Sequence, residues 1–264
     1  MTAEDIKKEN SSIAKEYKKL LSVSYRRLTA TDKKLIRKAF NVAMDGHKNQ
    51  RRKSGEAYIF HPISVAKIVA SKIGLDATSI ASALLHDVVE DSPDYNIEDI
   101  EQLFGTTVSR IVNGLTKISS LKKDKDISLQ AENFRKMLLT LNDDVRVIII
   151  KIADRLHNMQ TIHSLAEDKQ LKIASETLYI YAPLAHKIGL YNIKSELEDL
   201  ALKYTEPEVY NSILLKMKES KEDQDQYIGK ISGILEEALI KQKIKYLIKG
   251  RPKSIFSIHR KMQR

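Results

Sequence analysis

The sequence predicts an all-α chain with a short α/β-like ending, and three observations carry that prediction. Only nine Gly and five Pro interrupt 264 residues. Apolar side chains recur every three or four positions over most of the length, and the recurrences stop at capping residues. From Pro62, residues Ile63, Ala66, Ile68, Val69 and Ile73 keep helical spacing and end at Gly74, with Pro just inside the start and Gly just past the end. Residues 76–89 read as a second helix, where Ile80, Ala81, Ala83, Leu84, Leu85 and Val88 make nearly every face apolar, hence buried. Residues 133–141 are a third helix. The cap signal Asn142-Asp143-Asp144 opens a fourth over 145–159; its Val-Ile-Ile-Ile run at 147–150 suits a buried strand, but helical periodicity continues to Met159. Residues 175–202 give one or two helices with Pro183 as a break or kink. Residues 208–241 read as a charged amphipathic helix pair, and the Lys-rich stretch 121–130 as a loop.

The ending differs. Lys243-Ile244-Lys245-Tyr246-Leu247-Ile248-Lys249 is β-prone, then Gly250-Arg251-Pro252 turns the chain into a short helical run to Arg264. A lone strand leaves its backbone groups unpaired, so the sequence is expected to stop early inside a second domain.

Composition narrows the function. Hydrophobic residues are 42% of the chain, enough for a buried core. Lys plus Arg exceed Asp plus Glu by 45 − 35 = 10, which favours polyanionic partners such as nucleotides, nucleic acid or an anionic surface. With no cysteine, a disulfide scaffold, a Cys-ligated zinc and a cysteine nucleophile are excluded. Residues 1–12 are charged and lack the apolar core of a secretory signal. No apolar run approaches the ~18 residues a bilayer span needs. The expectation is a soluble cytoplasmic protein with no membrane partner.

Three segments concentrate ligand-type residues: Arg51-Arg52-Lys53-Ser54-Gly55-Glu56-Ala57-Tyr58 leading to His61-Pro62, Leu84-Leu85-His86-Asp87-Val88-Val89-Glu90-Asp91, and Lys151-Ile152-Ala153-Asp154-Arg155-Leu156-His157-Asn158. On a continuous helix His86 and Glu90, and likewise Asp87 and Asp91, are i, i+4 pairs forming adjacent stripes. A His-Asp pair ending a buried apolar helix is costly unless a metal or partner compensates it. Asp154, Asn158 and Thr161 share a face at i, i+4, i+7, and His61 stands at a helix start. Two imidazoles and two carboxylates would give a mixed N/O metal site with open positions. Glu90 and Asp91 would then orient or deprotonate a water, and Arg51, Arg52 and Lys53 would meet phosphate oxygens. Taken singly, His47, His157, His163, His186 and His259 read as packed or surface histidines, and the basic triplet as a solvated turn. Spacing alone leaves both a metal site and a satisfied polar pair open.

Taken together, the segments resemble the HD-type metal phosphohydrolases, and more narrowly the N-terminal hydrolase half of the bifunctional RelA/SpoT-like (Rel) alarmone enzymes. The matching stretches are RRKSGEAYIFHPISVA, ALLHDVVED, LTKI, AENFRKMLLTLNDDVRVIIIKIADRLHNM, ETLYIYAPLAHKIGLYNIKSELEDLAL and GRPKSIFSIHRKM. The resemblance implies that His61, His86, Asp87 and Asp154 bind Mn²⁺, that Glu90 and Asp91 position and activate the attacking water, and that Arg52, Lys53, Ser54, Asn158 and Thr161 line a guanosine nucleotide pocket. The implied reaction removes the 3′-pyrophosphate of ppGpp or pppGpp, giving GDP or GTP, as in the stringent response. The implied domains are an HD helical bundle at 1–165, connector helices at 166–205 and the truncated start of an α/β synthetase domain at 206–264. Synthetase activity is therefore not expected, and regions beyond this chain would link full-length relatives to the ribosome. Ala57 departs from the family's usual Pro in the Gly-Glu-Pro-Tyr turn, which loosens a loop. Two rivals remain: an HD hydrolase of another nucleotide, and a basic helical module binding nucleic acid. With 6% aromatic residues and no Trp, stacking platforms for the latter are poorly supplied.

Overall fold

The structure, a computed structural model, describes residues 2–24, 28–120, 144–250 and 252–263. The expected loop at 121–130 and helix at 133–141 lie outside the described residues. The chain divides into two compact units, Met1–Glu167 with Lys187–Leu190, and Asp168–His186 with Tyr191–Arg264. Among the described residues there is no strand, and no helix is long and apolar enough to cross a membrane.

The first unit is helical throughout. It contains α1 (Ala3–Ser22), α2 (Ala30–Gly46), α3 (Phe60–Lys67), a π-helical turn (Ile68–Ile73), α4 (Ala77–Leu84), α5 (Val88–Asp91), α6 (Ile97–Phe104), α7 (Thr106–Ser120) and α8 (Val145–Gln160). Helices α1 and α2 start on capping boxes, Thr2 with Asp5 and Thr29 with Asp32, each satisfying backbone donors that the first turn leaves free. Helix α4 lies at the centre and packs against α2, α3, α7 and α8. Its sequence Ala-Thr-Ser-Ile-Ala-Ser-Ala-Leu alternates small and large side chains, so neighbouring backbones approach closely while Ile80 and Leu84 fill the space between them. Burying one such side chain stabilises the fold by about 1.5–3 kcal/mol. Gly114 does the same on α7, since a Cβ there would stand 2.9 Å from Val147 Cγ2 on α8.

The helix predicted from Pro62 to Gly74 is present and begins slightly earlier, at Phe60. It widens into the π turn and closes at Gly74 in the left-handed region (φ 80°), where Gly74 and Leu75 N–H groups both donate to Val69 O. Helix α8 opens at Asp144, whose carboxylate accepts from Arg146 N at 3.0 Å, so the 147–150 run is helical as preferred. The single helix predicted over 76–89 is corrected. It starts from the Asp76 cap but ends at Leu84, and a new turn, α5, begins at Val88. At the break, His86 Nδ1 donates to Ala83 O at 2.9 Å, the carbonyl that a continued helix would use for its next turn. His86 and Glu90 therefore do not share one helical stripe.

The second unit contains the π-helical turn Thr177–Tyr181 followed by α10 (Ala182–Lys187), α11 (Tyr191–Thr205), α12 (Pro207–Glu219), α13 (Lys221–Lys241) and α14 (Ile255–Met262); α9 (Glu167–Glu176) leads into it. Pro183 sits in the first turn of α10 directly after the π turn, where its missing N–H is tolerated and its ring needs the extra width. Leu202, Ile213 and Ile255 form the buried centre of α11, α12 and α14, flanked by Tyr210, Met217 and Phe256. The predicted helix pair over 208–241 is α12 and α13. The β-prone run after residue 243 forms no strand among the described residues, because no partner chain segment supplies a ladder.

Candidate metal centre

Two helices and an interhelical break bring four predicted ligands together. His61 stands in the first turn of α3, His86 and Asp87 in the break between α4 and α5, and Asp154 in the middle of α8. Nε2 of His61 lies 3.7 Å from Asp87 Oδ2 and 3.3 Å from Asp154 Oδ1. Nε2 of His86 lies 2.9 Å from Asp87 Oδ2 and 3.9 Å from Asp154 Oδ1. Ligand atoms of His61, His86 and Asp154 all fall within 4.8 Å of one another. The helix break places Asp87 here: a continuous helix would carry it about 100° round the axis from His86, whereas the turn folds its carboxylate against the His86 ring.

His86 Nδ1 donates to Ala83 O, so the proton sits on that nitrogen and Nε2 carries the lone pair. That Nε2 is buried and has no hydrogen-bond partner, although Asp87 Oδ2 lies 2.9 Å away. A buried acceptor aimed with two carboxylates at one point fits a divalent cation, and the mixed N/O donor set fits Mn, Fe, Zn or Mg.

The electrostatics agree. Burial works against a charged Asp154, but Lys151, 3.2 Å away, with His61 and His86, holds it well below the carboxylate range. Burial opposes the charge on Asp87 too, and His86 and Lys151 outweigh it and hold the carboxyl low. On His86, burial is overcome by the Asp87 and Asp154 carboxylates, which raise it. His61 is lowered, chiefly by burial. Two ionised carboxylates thus share the cluster with one lysine and a histidine drawn toward protonation, a place where positive charge is wanted.

Around this core stand side chains that sequence reasoning quoted but gave no role. Tyr58 donates its hydroxyl to Asp87 Oδ2 at 2.8 Å, and burial, then Asp87, raises its phenol far above the ordinary range, so it remains a donor. Lys151 pairs with Asp154, and His157 Nδ1 lies 2.8 Å from His61 Nδ1. Burial, then His61 and Arg52, push His157 down to about 3. His47 is buried as well, with Gln50 Oε1 2.7 Å from its Nδ1. The signal that would have found two of them is helical spacing: Lys151 precedes Asp154 by three residues and His157 follows it by three, all on α8, whereas Tyr58 lies in the turn before α3.

Beside the cluster, Asn158 donates to Asp154 Oδ1 at 2.6 Å and accepts from Arg52 at 3.0 Å, while Arg52 also reaches Thr161 Oγ1 at 3.3 Å. The turn that carries Arg52 closes through Arg52 N to Glu56 O and Gly55 N to Arg52 O, with Gly55 at φ 89°. Arg51 is aimed elsewhere, forming a two-pronged pair with Glu9 of α1 at 2.9 Å. Of the predicted pocket residues the structure joins Arg52, Asn158 and Thr161; Lys53 and Ser54 stand exposed on the turn. Glu90 and Asp91 sit exposed on α5, and Gln50 Nε2 donates to the Asp91 carbonyl at 2.9 Å. Partial burial, then Asp87 and Glu90, push the Asp91 carboxyl up to about 6.

Comparison with known proteins places the chain among named relatives. Residues 39–191 match the family described as HD domain. The chain is 45% identical over 229 residues to "Bifunctional (p)ppGpp synthase/hydrolase SpoT" of Escherichia coli K12, covering 87% of this chain and 32% of that protein. It is 42% identical over 244 residues to "Guanosine-3′,5′-bis(diphosphate) 3′-pyrophosphohydrolase" of Vibrio cholerae, covering 92% and 34%. The chain thus spans about a third of the length of these relatives. A solved structure titled "A metazoan ortholog of SpoT hydrolyzes ppGpp and plays a role in starvation responses" aligns with TM-score 0.51 at 25% identity, covering 66% of this chain and 96% of that one.

Proposed function

The chain belongs to the HD domain family, and from that premise we propose that it is a Mn²⁺-dependent pyrophosphohydrolase that converts ppGpp or pppGpp and water to GDP or GTP and pyrophosphate. The observation that carries the proposal is the buried cluster of His61, His86, Asp87 and Asp154 joined through Asn158 to Arg52 and Thr161. A metal cluster alone suits many hydrolyses. A guanidinium held beside it suits a substrate with both a nucleoside and a pyrophosphate, and the names of the relatives supply that substrate.

His61, His86, Asp87 and Asp154 would hold the ion, which when bound supplies Lewis-acid charge to a phosphoryl oxygen and lowers the cost of deprotonating a water. Tyr58 and Asn158 fix the two carboxylates by donating to Asp87 and Asp154, and Lys151 steadies Asp154 from the other oxygen. Asp91 takes the proton of the attacking water on its carboxylate: with its pKa raised to about 6 it is ionised at neutral pH yet basic enough to accept. Glu90, its neighbour on α5, orients that water. Arg52 offers its guanidinium to the nucleotide from its seat on Asn158 and Thr161, with Lys53 and Ser54 closing over the phosphates from the exposed turn. The net charge of +10 favours approach of the polyanion. We place the hydrolase within residues 1–165, a placement supported by the division of the chain near Glu167, with 166–205 as connector and 206–264 as the start of a synthetase-like segment.

The test is pyrophosphate release from ppGpp by the whole chain, with and without Mn²⁺, with the nucleotide product identified. GDP and pyrophosphate formed only with metal support the proposal. Turnover that ignores Mn²⁺, or a protein that binds neither metal nor ppGpp, refutes it.

A further inference from the structure

The contact between His61 and His157 is unused in the chemistry above, yet it constrains that chemistry. Nε2 of His61 faces Asp87 and Asp154, while its Nδ1 lies 2.8 Å from Nδ1 of His157. A neutral imidazole has one donor and one acceptor nitrogen, so a ring offering a lone pair at Nε2 must carry its proton at Nδ1. A nitrogen–nitrogen contact of this length needs one protonated and one bare partner. The partner the structure gives His61 Nδ1 is His157.

We propose that His157 is a positioning residue for metal binding: its Nδ1 accepts the Nδ1 proton of His61, fixing the tautomer and ring orientation that present His61 Nε2 to a divalent cation. The inference rests on the metal reading proposed above. His86 has the same arrangement with a different acceptor, since its Nδ1 donates to the Ala83 carbonyl. Both imidazoles of the cluster therefore have an acceptor behind them, one from the backbone and one from a side chain. His157 can serve because α8 is rigid at this point: Ala153, Leu156 and Met159 beside it are buried, and the same turn carries Asp154. The two rings lie with centroids 5.0 Å apart and planes inclined by 37°. Orienting groups of this kind behind a metal histidine raise its basicity and hold its ring in place.

The experiment is a calorimetric Mn²⁺ titration of the whole chain at pH 7.5, comparing the native protein with His157→Asn and His157→Leu. The two replacements have nearly one shape, but the first keeps an acceptor oxygen where Nδ1 stood. His157→Leu should weaken Mn²⁺ binding about 10- to 100-fold while His157→Asn stays within about threefold of the native protein, with equal metal-free melting temperatures. Equal binding by His157→Leu and the native protein, or equal losses in both variants, overturns the proposal. Should His157→Leu fail to fold, long-range ¹H–¹⁵N spectra of the native protein loaded with Zn²⁺ decide. A protonated Nδ1 on His61 with a bare Nδ1 on His157 supports it, and the reverse overturns it. A native protein that binds no divalent ion refutes the metal reading itself, an outcome visible before any variant is compared.

Discussion

Helices α4 and α13 invert each other's design. Helix α4 has eight residues, with Ala77 and Ser79 to Leu84 all buried, and it ends at a pair of ligands. Helix α13 has 21 residues and buries none, leaving Tyr227, Ile234, Leu235 and Ile240 exposed. The first is short but surrounded by α2, α3, α7 and α8; the second is long and held by few neighbours. Helix length and apolar content therefore say little about where a fold is stiff. What matters is how many elements close around a segment, and in this chain that closure is also what removes water from His61, His86 and Asp154.

The comparison can be broken most severely at the ligands. His86→Ala should reduce metal-dependent pyrophosphate release to background, a loss of more than about 100-fold, because Nε2 cannot be replaced from any neighbouring ring. A protein that keeps native turnover after this change would separate the buried cluster from the chemistry. Asp91→Asn comes next, lowering the rate at neutral pH by about 100-fold or more. The sign of the pH effect follows from the raised carboxyl: the native rate should fall as acid protonates Asp91 through about 6, or lower with divalent charge beside it. The variant should lose that acid limb, which a rate–pH profile reads directly.

Stability sharpens the same contrast. Leu84→Ala in α4 should cost about 2–5 kcal/mol in urea unfolding, whereas Leu235→Ala in α13, where the side chain is half exposed, should stay within about 0.5 kcal/mol. Similar losses at both sites would mean that α13 is covered in solution. Gly114→Ala should cost about 1–3 kcal/mol through the clash with Val147, and Val147→Ala added to it should restore part of the loss. The double variant's unfolding midpoint, set beside the singles, measures that coupling.

Much of the fold was legible in the sequence because its signals are local. The Asp76 and Asp144 starts and Gly74 past the end of its helix each act within one turn, so periodicity and capping residues locate the elements. Helices α1, α2, α6, α7 and α9 went beyond the elements read from periodicity, though capping residues for three of them were present at Thr2, Thr29 and Asn96. The candidate site was legible as a set of residue types, since a His-Asp pair after an apolar run is conspicuous and the resemblance assigned each member a role.

The sequence by itself determined that the chain is helical, that its ligand-type residues fall in three segments, and that Asp154 and Asn158 share a helical face. Those properties depend on neighbours within about four residues along the chain. Only the tertiary structure decided that the helix stops at Leu84, that Asp87 turns back onto His86, and that Tyr58, Lys151 and His157 stand behind the ligands. The reason is that burial, hydrogen-bond partner and ring orientation are set across separations such as the 96 residues between His61 and His157. A polar side chain acquires its role from whatever the packed core brings opposite it.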